Sequence, residues 1–298
     1  MSERYFTIVN PAAGNGRCGK LAPRALERLR AGGLTLEVHE THAPREATAL
    51  ARDAYAQGWR NFIGVGGDGT SYEIVNGLFP EAAKGGRPAL GFLPLGTGNS
   101  FLRDFTNRGA EDTIQALLRR RRRSCDVFRL RHSRGELYFI NTMNLGFAAD
   151  CATVAGRRFK PLGEIGYLLS VLACLARLRR RAFPLRADGE ADARRCLFLA
   201  FSNSKFTGGR MMIAPDATID NGLIEYVHWG PIGRMALVYN LPKLFDGSHI
   251  RHPLASRRNA KRIDFELDGP VDIVVDGEIF TLEIESLDVL PGAMEVIV

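Results

Sequence analysis

The first third of the chain repeats one pattern three times: a short apolar strand, a glycine-rich loop and an amphipathic stretch. The predicted strands span residues 5–9, 61–65 and 89–93. Short, nearly continuous apolar strands separated by helices are typical of a parallel sheet covered on both faces. Right-handed crossovers bring the loops after such strands to the carboxyl edge, where α/β sheets bind ligands. The sequence therefore predicts an α/β N-terminal domain in which three distant loops form one site.

The second loop, Gly66-Gly67-Asp68-Gly69-Thr70, combines glycines with one acid. Glycines let the backbone turn sharply and bring N–H groups close to a phosphate, and the helix predicted to follow directs its positive end there. Asp68 by itself would repel that phosphate. Its presence predicts a magnesium ion, a hydroxyl proton to accept, or both.

The first loop matches two known phosphate-binding patterns. Gly14-Asn15-Gly16-Arg17-Cys18-Gly19 fits G-x-G-x-x-G, and with Lys20 it also fits G-x-x-x-x-G-K. The second match fails at Leu21, where a hydroxyl side chain would hold magnesium. The first match leaves two interpretations open, a dinucleotide-binding turn and a plain turn.

Composition limits the class of protein. A length of 298 residues suits two domains, and 45% hydrophobic with 24% charged residues is typical of a globular protein. Five cysteines without a Cys-x-x-Cys spacing argue against a disulfide framework or zinc site and fit a reducing cytoplasm. We expect no cleaved signal and no spanning helix, because no stretch approaches the roughly 20 apolar residues needed.

The net charge of +7 favours an anionic partner, such as nucleic acid, a phospholipid surface or a phosphorylated substrate. This indication is weak, because 34 of the 40 basic residues are arginine and genome composition alone raises arginine content.

After residue 125 the sequence changes to strands and turns. Period-2 alternation predicts a mainly antiparallel β domain over 126–298, following an α/β domain over 1–125. The clearest strands are 137–140, 196–201, 262–267, 272–275 and 280–284, and helices are predicted at 112–123, 163–181 and 232–245.

Three blocks in this order resemble the catalytic domain of the diacylglycerol kinase and sphingosine kinase superfamily, in its bacterial soluble branch. They are Asn10-Pro11-x-Ala13-Gly14-x-Gly16, the Gly66 loop, and Pro94-Leu95-Gly96-Thr97-Gly98-Asn99. Further matches are Gly146-Phe147-x-Ala149-Asp150, then Leu162-Gly163-Glu164-x-x-Tyr167, and finally Asp276-Gly277-Glu278. The resemblance implies an N-terminal domain like that of NAD kinases and phosphofructokinases, which share only the Gly-Gly-Asp-Gly element.

The resemblance also implies site residues. ATP would be bound with Mg²⁺ by Asn10, Thr41, Gly66, Gly67, Asp68, Gly69, Thr70, Glu73, Gly96, Thr97 and Asn99. Glu278 would accept the proton of a lipid hydroxyl, and Asp68 would act as a metal-associated acid; alternatively, Asp68 itself accepts that proton, since family members are described both ways. Asp150 would contact the lipid head group; alternatively, it caps a helix.

The Asp276-Gly277 dipeptide has a simpler interpretation as a hairpin turn, since Asp-Gly is a common turn sequence. The same tripeptide occurs earlier as Asp188-Gly189-Glu190, and there we predict a turn alone.

Two departures from the family pattern affect the interpretation. Ser100 stands where many bacterial diacylglycerol kinases have aspartate, which leaves the lipid open. The loop containing Thr218, Asn221 and Leu223 resembles a structural magnesium site, but Asn221 replaces a ligand aspartate. Because an amide is a poorer ligand than a carboxylate, we expect that site to be weakened or absent.

The sequence thus predicts an ATP-dependent lipid kinase, with a diacylglycerol-like glycerolipid first and a sphingoid base or ceramide second. A NAD kinase-like metabolite kinase and an NAD(P)-binding Rossmann protein are the alternatives. Expected partners are the lipid substrate and, transiently, the inner membrane face, without nucleic acid; a homodimer is left open. The apolar stretch 163–181 with its basic end is a hypothetical membrane contact.

Overall fold

The computed structural model describes residues 3–106, 108–155 and 163–298, and over 163–168 it describes the backbone alone. The helices are α1 Arg17–Ala31, α2 Glu46–Ala56, α3 Asp68–Leu78, α4 Ala110–Leu118, α5 Phe147–Val154, α6 Gly163–Ala176, α7 Arg234–Asn240 and α8 Lys243–Asp246. The first ten strands are β1 Arg4–Val9, β2 Thr35–Glu40, β3 Asn61–Gly66, β4 Ala89–Pro94, β5 Arg122–His132, β6 Gly135–Phe139, β7 Thr142–Gly146, β8 Arg181–Ala182, β9 Leu185–Ala187 and β10 Glu190–Asp192. The others are β11 Arg195–Cys196, β12 Phe198–Ser202, β13 Phe206–Thr207, β14 Met211–Met212, β15 Ile224–Trp229, β16 Ala255–Ala260, β17 Arg262–Phe265, β18 Val271–Val275, β19 Glu278–Leu282 and β20 Ile284–Ile297.

The N-terminal half is a parallel sheet in the order β2-β1-β3-β4 with helices on both faces. Buried residues of α1 and α4, such as Leu29 and Leu117, pack on one face. Buried residues of α2 and α3, such as Ala51 and Ile74, pack on the other. The predicted α/β fold is confirmed. It gains an edge strand, β2, which the sequence reading missed.

The C-terminal half is a β sandwich. One layer is the antiparallel sheet β16-β15-β12-β7-β18-β19. The other layer contains the antiparallel strands β5, β6, β9, β10, β17 and most of β20. Large side chains from both layers form the core between them, among them Phe128, Phe139, Phe201 and Tyr226. This confirms the predicted mainly antiparallel second half.

Strand β20 connects the two halves. Over most of its length it runs antiparallel to β5, while Glu295–Ile297 pairs in parallel with Ala89–Gly91 of β4. The last strand of the chain therefore extends the sheet that the first strand began. The predicted division at residue 125 falls inside β5, and it stays a prediction.

All three predicted helices are shorter than expected, and the one predicted over 163–181 ends at Ala176. The helix predicted over 112–123 ends at Leu118, Arg120 has a φ of 53°, and Arg122 already pairs with Ile297 of β20. Arginine favours helices locally, but pairing with a distant strand overrides that preference. The helix predicted over 232–245 divides into α7 and α8 around Pro242, whose ring cannot continue a helix interior.

Candidate active site

The second and third glycine-rich loops pack backbone against backbone at the carboxyl ends of β3 and β4. The N–H of Gly96 donates to the Gly66 carbonyl at 2.8 Å, and the N–H of Asp68 donates to the Gly98 carbonyl at 2.9 Å. A Cβ on Gly67 would lie 2.8 Å from the Gly98 oxygen, and one on Gly96 would lie 2.8 Å from the Gly67 nitrogen. Glycine is required here because the two backbones leave no room for a side chain.

The first loop joins them. Gly14 has a φ of 62°, and a Cβ on it would lie 3.2 Å from the Leu95 carbonyl oxygen of the third loop. The side-chain amide of Asn10 donates to Thr70 Oγ1 at 3.4 Å. Three loops separated by up to about 80 residues of sequence therefore form one wall, at the sheet edge that the strand pattern indicates.

A cleft of about 430 Å³ separates this wall from the β18–β19 turn of the C-terminal half. It is lined by Asn10, Ala13, Gly14, Gly67, Asp68, Gly69, Thr70, Glu73, Gly96, Thr97, Gly98, Ser100, Asn141, Thr207, Gly208, Gly209, Asp276, Gly277 and Glu278.

Asp68 is the first residue of α3 and points at the third loop. Its Oδ2 accepts the Ser100 N–H at 2.9 Å. Burial raises the pKa of this carboxyl above its ordinary value, and the hydrogen bonds from Ser100 oppose that rise. The acid at the centre of the second loop is therefore held in place and is readily neutralised by a proton or a cation.

Asp276 lies beneath the β18–β19 turn and is only 5% exposed. Its carboxylate accepts three backbone N–H groups, from Ile140 at 3.2 Å, Asn141 at 3.1 Å and Thr142 at 2.9 Å. Burial raises the pKa of Asp276 to about 7, and the negative charge of Asp68 contributes to the rise. The two acids therefore interact electrostatically across the cleft.

Glu278 begins β19 and brings a carboxylate from the C-terminal half to the start of α3. A Cβ on Gly69 would lie 2.8 Å from Glu278 Oε1, so this oxygen lies directly over the Gly69 backbone. Burial raises the pKa of the neighbouring Tyr72 phenol, and the charges of Asp276 and Glu278 raise it further. The β18–β19 turn thus faces the second glycine-rich loop.

The cleft lining is acidic. Asp68, Glu73, Asp276 and Glu278 all contribute, whereas no lysine or arginine belongs to the lining among the described residues. The partial positive charge at the start of α3 attracts a polyphosphate, but the four carboxylates repel it. A polyphosphate would therefore bind only together with a cation. Carboxylate oxygens suit Mg²⁺, which commonly takes one or two carboxylates and completes its shell with phosphate oxygens and water. The donor set therefore fits a metal–nucleotide complex. It is not a self-sufficient metal cage, since the described residues contain no group of three or more His, Cys, Asp or Glu placed to hold a metal.

Some predicted nucleotide residues line the cleft, and others support it from behind. Glu73 is in the lining, and its Oε1 accepts the Arg45 N–H at 3.0 Å. Thr41 is buried and donates its N–H to the Val9 carbonyl at 2.8 Å. Gly66 lies under the Thr70 side chain, and Asn99 donates to the Gly96 carbonyl at 3.2 Å behind the loop. These last three shape the wall without lining the main cleft.

Sequence reasoning assigned no site role to several lining residues. Ser100 accepts the Gly209 N–H on its Oγ at 2.7 Å, which ties the third loop to the segment 207–209 of the C-terminal half. Asn141 and Asp276 also line the cleft. Asn141 belongs to no motif, whereas Ser100 and Asp276 lie in or beside matched blocks without an assigned role, and only their long-range position marks all three as lining residues. The Leu162 to Tyr167 match lies outside the residues whose side chains are described.

Asp150 lies in a second pocket, of about 430 Å³, between α5 and α6. It sits inside α5, and one nitrogen of the Arg181 guanidinium donates to both of its oxygens, at 2.6 and 2.7 Å. Arg177 and Arg179 line the same pocket. Asp272 of β18 also lines it, and Asp276 follows four residues later, just after the end of that strand. Four strand residues span about 13 Å, so this pocket adjoins the main cleft along one strand.

The predicted magnesium loop is closed by protein hydrogen bonds. The Asn221 side-chain oxygen accepts the Leu223 N–H at 3.0 Å, and Asp220 pairs with Arg123 at 3.4 Å. The buried carboxylate of Asp126 accepts the N–H groups of Gly222 at 2.6 Å and Gly292 at 2.7 Å. Thr218, Asn221 and Leu223 as metal ligands stay a prediction.

None of the helices in the described ranges has the length and apolarity needed to span a bilayer.

Known proteins resemble this chain in both of its halves. Residues 4–130 match the model of the diacylglycerol kinase catalytic domain, and residues 141–298 match the YegS C-terminal NAD kinase beta sandwich-like domain. A diacylglycerol kinase of Mycobacterium tuberculosis is 28% identical over 99% of this chain and 94% of its own length. One of Bacillus subtilis is 25% identical over 93% of this chain and 90% of its own length.

Solved structures agree on the fold. A chain from Bacillus anthracis strain Sterne superposes with a TM-score of 0.80 at 22% identity, covering 99% of this chain and 95% of that one. Another from the same organism, described as a diacylglycerol kinase, gives 0.74 at 21% identity over 99% of this chain and 96% of its own. With the two family models covering both halves and the carboxylates of both halves meeting in one cleft, the chain belongs to the diacylglycerol kinase family and is a lipid kinase.

Proposed function

We propose that this lipid kinase transfers the γ-phosphate of ATP, bound with Mg²⁺, to the hydroxyl of a diacylglycerol-like glycerolipid. The observation that carries the proposal is the position of Glu278 Oε1 over Gly69, at the start of α3 and beside Asp68. A proton acceptor from one half thus faces a phosphate-binding loop of the other, as transfer to an alcohol requires.

The chain's own residues have separate tasks in this reaction. The backbone N–H groups of Gly67, Gly69 and the start of α3, with Thr70 and Thr97, orient the phosphates. Glu278 accepts the proton of the lipid hydroxyl. At the same time the hydroxyl oxygen forms a bond to the γ-phosphorus of ATP, and the bond between the γ-phosphorus and the oxygen that leaves with ADP breaks. Asp68 is the residue we assign to hold Mg²⁺, which when bound neutralises phosphate charge.

The electrostatics of the second pocket support a glycerolipid over a sphingoid base. A sphingoid base carries an ammonium group, but the Asp150 carboxylate is already neutralised by Arg181. Arg177 and Arg179 add positive charge to the same pocket. An uncharged diacylglycerol avoids the repulsion that an ammonium would meet there. Ceramide is also uncharged, so it stays the second candidate.

The direct test incubates the purified chain with γ-labelled ATP and Mg²⁺, and with diacylglycerol, ceramide, sphingosine or NAD⁺ in separate reactions. We expect label in phosphatidate and none in phosphorylated NAD⁺. Label in phosphorylated NAD⁺ alone would contradict the proposal. A thermal-shift screen adds a check, because ligand at 100 times its Kd stabilises by about 2.7 kcal/mol. Stabilisation by NADPH but not by ATP with Mg²⁺ would favour the Rossmann alternative.

A variant tests the assignment of the second pocket. Arg181→Ala leaves Asp150 without its partner, and we expect the ratio of sphingosine to diacylglycerol phosphorylation to rise by about fivefold or more. Arg186→Ala is the matched control, because Arg186 pairs with exposed Glu266 away from this pocket. An unchanged ratio in Arg181→Ala would remove Asp150 from the substrate site and leave the kinase assignment intact.

A further inference from the structure

The surface of α7 and α8 carries an unusual concentration of exposed apolar side chains. Among the described residues, nine large hydrophobic side chains are exposed, and four of them lie on these two short helices. Met235, Val238 and Tyr239 are 81%, 46% and 76% exposed, and Phe245 is 58% exposed.

The three exposed residues of α7 form one face because the opposite side of the helix is anchored in the core. Leu237 is 1% exposed and packs with Leu244 of α8 and Trp229 in a buried cluster. Residues 235, 238 and 239 have the i, i+3 and i+4 spacing of a single helix face. We call Met235, Val238, Tyr239 and Phe245 the apolar face. Core packing leaves it uncovered.

Basic residues lie beside this face. Arg180, which lines a groove with Met235, and the segment 232–252 together supply four basic residues, Arg180, Arg234, Lys243 and Arg251, and a single carboxylate, Asp246. Arg180 and Arg234 donate to backbone carbonyls, of Ile232 at 3.1 Å and of Leu175 and Ala176 at 3.0 Å. Their charges are thus fixed beside α7 without being neutralised by those contacts.

The apolar face also adjoins the pocket of Asp150. Along the segment 177–180 the residues alternate between two sides. Arg177 and Arg179 line the Asp150 pocket, whereas Leu178 and Arg180 line a groove against Gly233, Arg234 and Met235 of the α7 region. A surface that touched α7 would therefore lie on the other side of the segment 177–180 from the proposed head-group pocket.

We infer that the apolar face of α7 and α8, with its basic rim, docks on the surface of an anionic phospholipid bilayer. Apolar side chains surrounded by arginine and lysine match an interface of acyl chains and anionic head groups. A water-soluble protein partner would not account for the adjoining lipid pocket. The inference rests on the proposed function, because a kinase of a glycerolipid must reach the bilayer that contains it. It assigns the membrane contact to α7 and α8, whereas the sequence predicted a contact at residues 163–181.

The test is co-sedimentation of the full chain with vesicles of phosphatidylcholine alone or mixed with phosphatidylglycerol. We expect binding that needs phosphatidylglycerol and weakens in high salt. The triple change Met235→Ser, Val238→Ser and Tyr239→Ser should lower the partition coefficient about tenfold or more. Leu21→Ser removes a side chain 40% exposed on α1 and should bind as the unchanged protein does.

A second pair of changes tests the charge contribution separately. Lys243→Glu with Arg251→Glu should abolish the preference for phosphatidylglycerol while the apolar face is intact. Equal binding of the triple serine variant and the unchanged protein would overturn the inference. So would a dimer in solution that the serine changes dissociate, because the face would then be covered by a second copy.

Activity separates this inference from the kinase proposal. On dispersed short-chain diacylglycerol the triple serine variant should match the unchanged protein, and on vesicles containing long-chain diacylglycerol it should be about tenfold slower. If neither protein phosphorylates short-chain diacylglycerol, the proposed substrate is wrong, whereas the vesicle binding result stands by itself.

Discussion

The tripeptide Asp-Gly-Glu occurs twice in this protein, and the two copies fold alike but do different things. Asp188 and Gly189 have φ angles of 49° and 87°, and Asp276 and Gly277 have 47° and 91°. Both pairs form the tight turn of a two-residue hairpin, between β9 and β10 and between β18 and β19. Even the aspartates act alike, since each accepts backbone N–H groups.

The surroundings differ. Asp188 is exposed and accepts from Lys261 and Arg262, whereas Asp276 is buried and faces Asp68. The glutamate of the first turn, Glu190, is 80% exposed and pairs with Arg258 at 3.0 Å. The glutamate of the second turn, Glu278, lies over Gly69. A turn sequence thus determines local backbone shape, and only its position in the fold makes it part of an active site.

The largest effect should come from Asp276. Its folded-state pKa, about 7, lies above the ordinary value of 3.8. Between these values the unfolded chain loses the proton first, so stability falls as pH rises. Asp276→Asn cannot ionise, and relative to the unchanged protein its stability should rise by roughly 4 kcal/mol from about pH 4 to about pH 7. This gain is offset by a constant cost, because an amide NH₂ meets one of the backbone donors.

Urea unfolding of both proteins across that pH range measures the difference. A difference that does not change with pH would mean that Asp276 is not held in a desolvated site, and the contrast between the two turns would weaken. Asp188→Asn, measured at one pH, shows how much the turn geometry alone contributes.

Glu278→Gln should lower turnover by roughly 10²-fold or more if Glu278 accepts the hydroxyl proton, because the amide cannot. The matched control is Glu190→Gln, which changes the same position of the other turn and should leave turnover unchanged. Steady-state kinetics with ATP and diacylglycerol compare them. Near-normal turnover in Glu278→Gln would mean that Asp68 is the base. Of the two single variants, only Asp68→Asn would then be expected to lose activity.

Gly69→Ala tests the contact between the two halves. The new methyl group would meet Glu278 Oε1 at 2.8 Å and push the carboxylate aside, so kcat should fall about tenfold. Unfolding measurements should show little loss of stability, since Gly69 lies in a helical turn where alanine is acceptable. Unchanged kcat would show that Glu278 does not work from this position.

The smallest effect should come from Gly189→Ala in the other turn. Gly189 has a φ of 87°, and no atom lies within 4 Å of the position that a Cβ would take. The change therefore costs only backbone strain, about 1 kcal/mol of unfolding free energy. Turnover should not change. Thermal melts with a parallel activity assay check both expectations, and a loss of activity would mean that this turn communicates with the cleft.

Sequence reasoning succeeded where the determining interactions are local. The glycines of the Gly66 loop predicted sharp backbone turns, and the apolar runs of β1, β3 and β4 predicted a parallel sheet whose loops share one edge. It failed where distant partners decide. Arg119 to Arg123 resembles the end of a helix, yet β20, more than 160 residues later, pairs with Arg122 and Arg123 and makes a strand.

By itself, the sequence determined both Asp-Gly turns, the three glycine-rich loops and the lipid kinase family, because each of these is carried by short blocks of neighbouring residues. Only the tertiary structure decided that Asp276 is buried within reach of the Asp68 charge and that Arg181 neutralises Asp150. The physical reason is that burial and charge pairing are set by chain segments that meet only after the sheets have formed. The apolar face of α7 is of the same kind, since packing through Leu237 decides which side of that helix is left exposed.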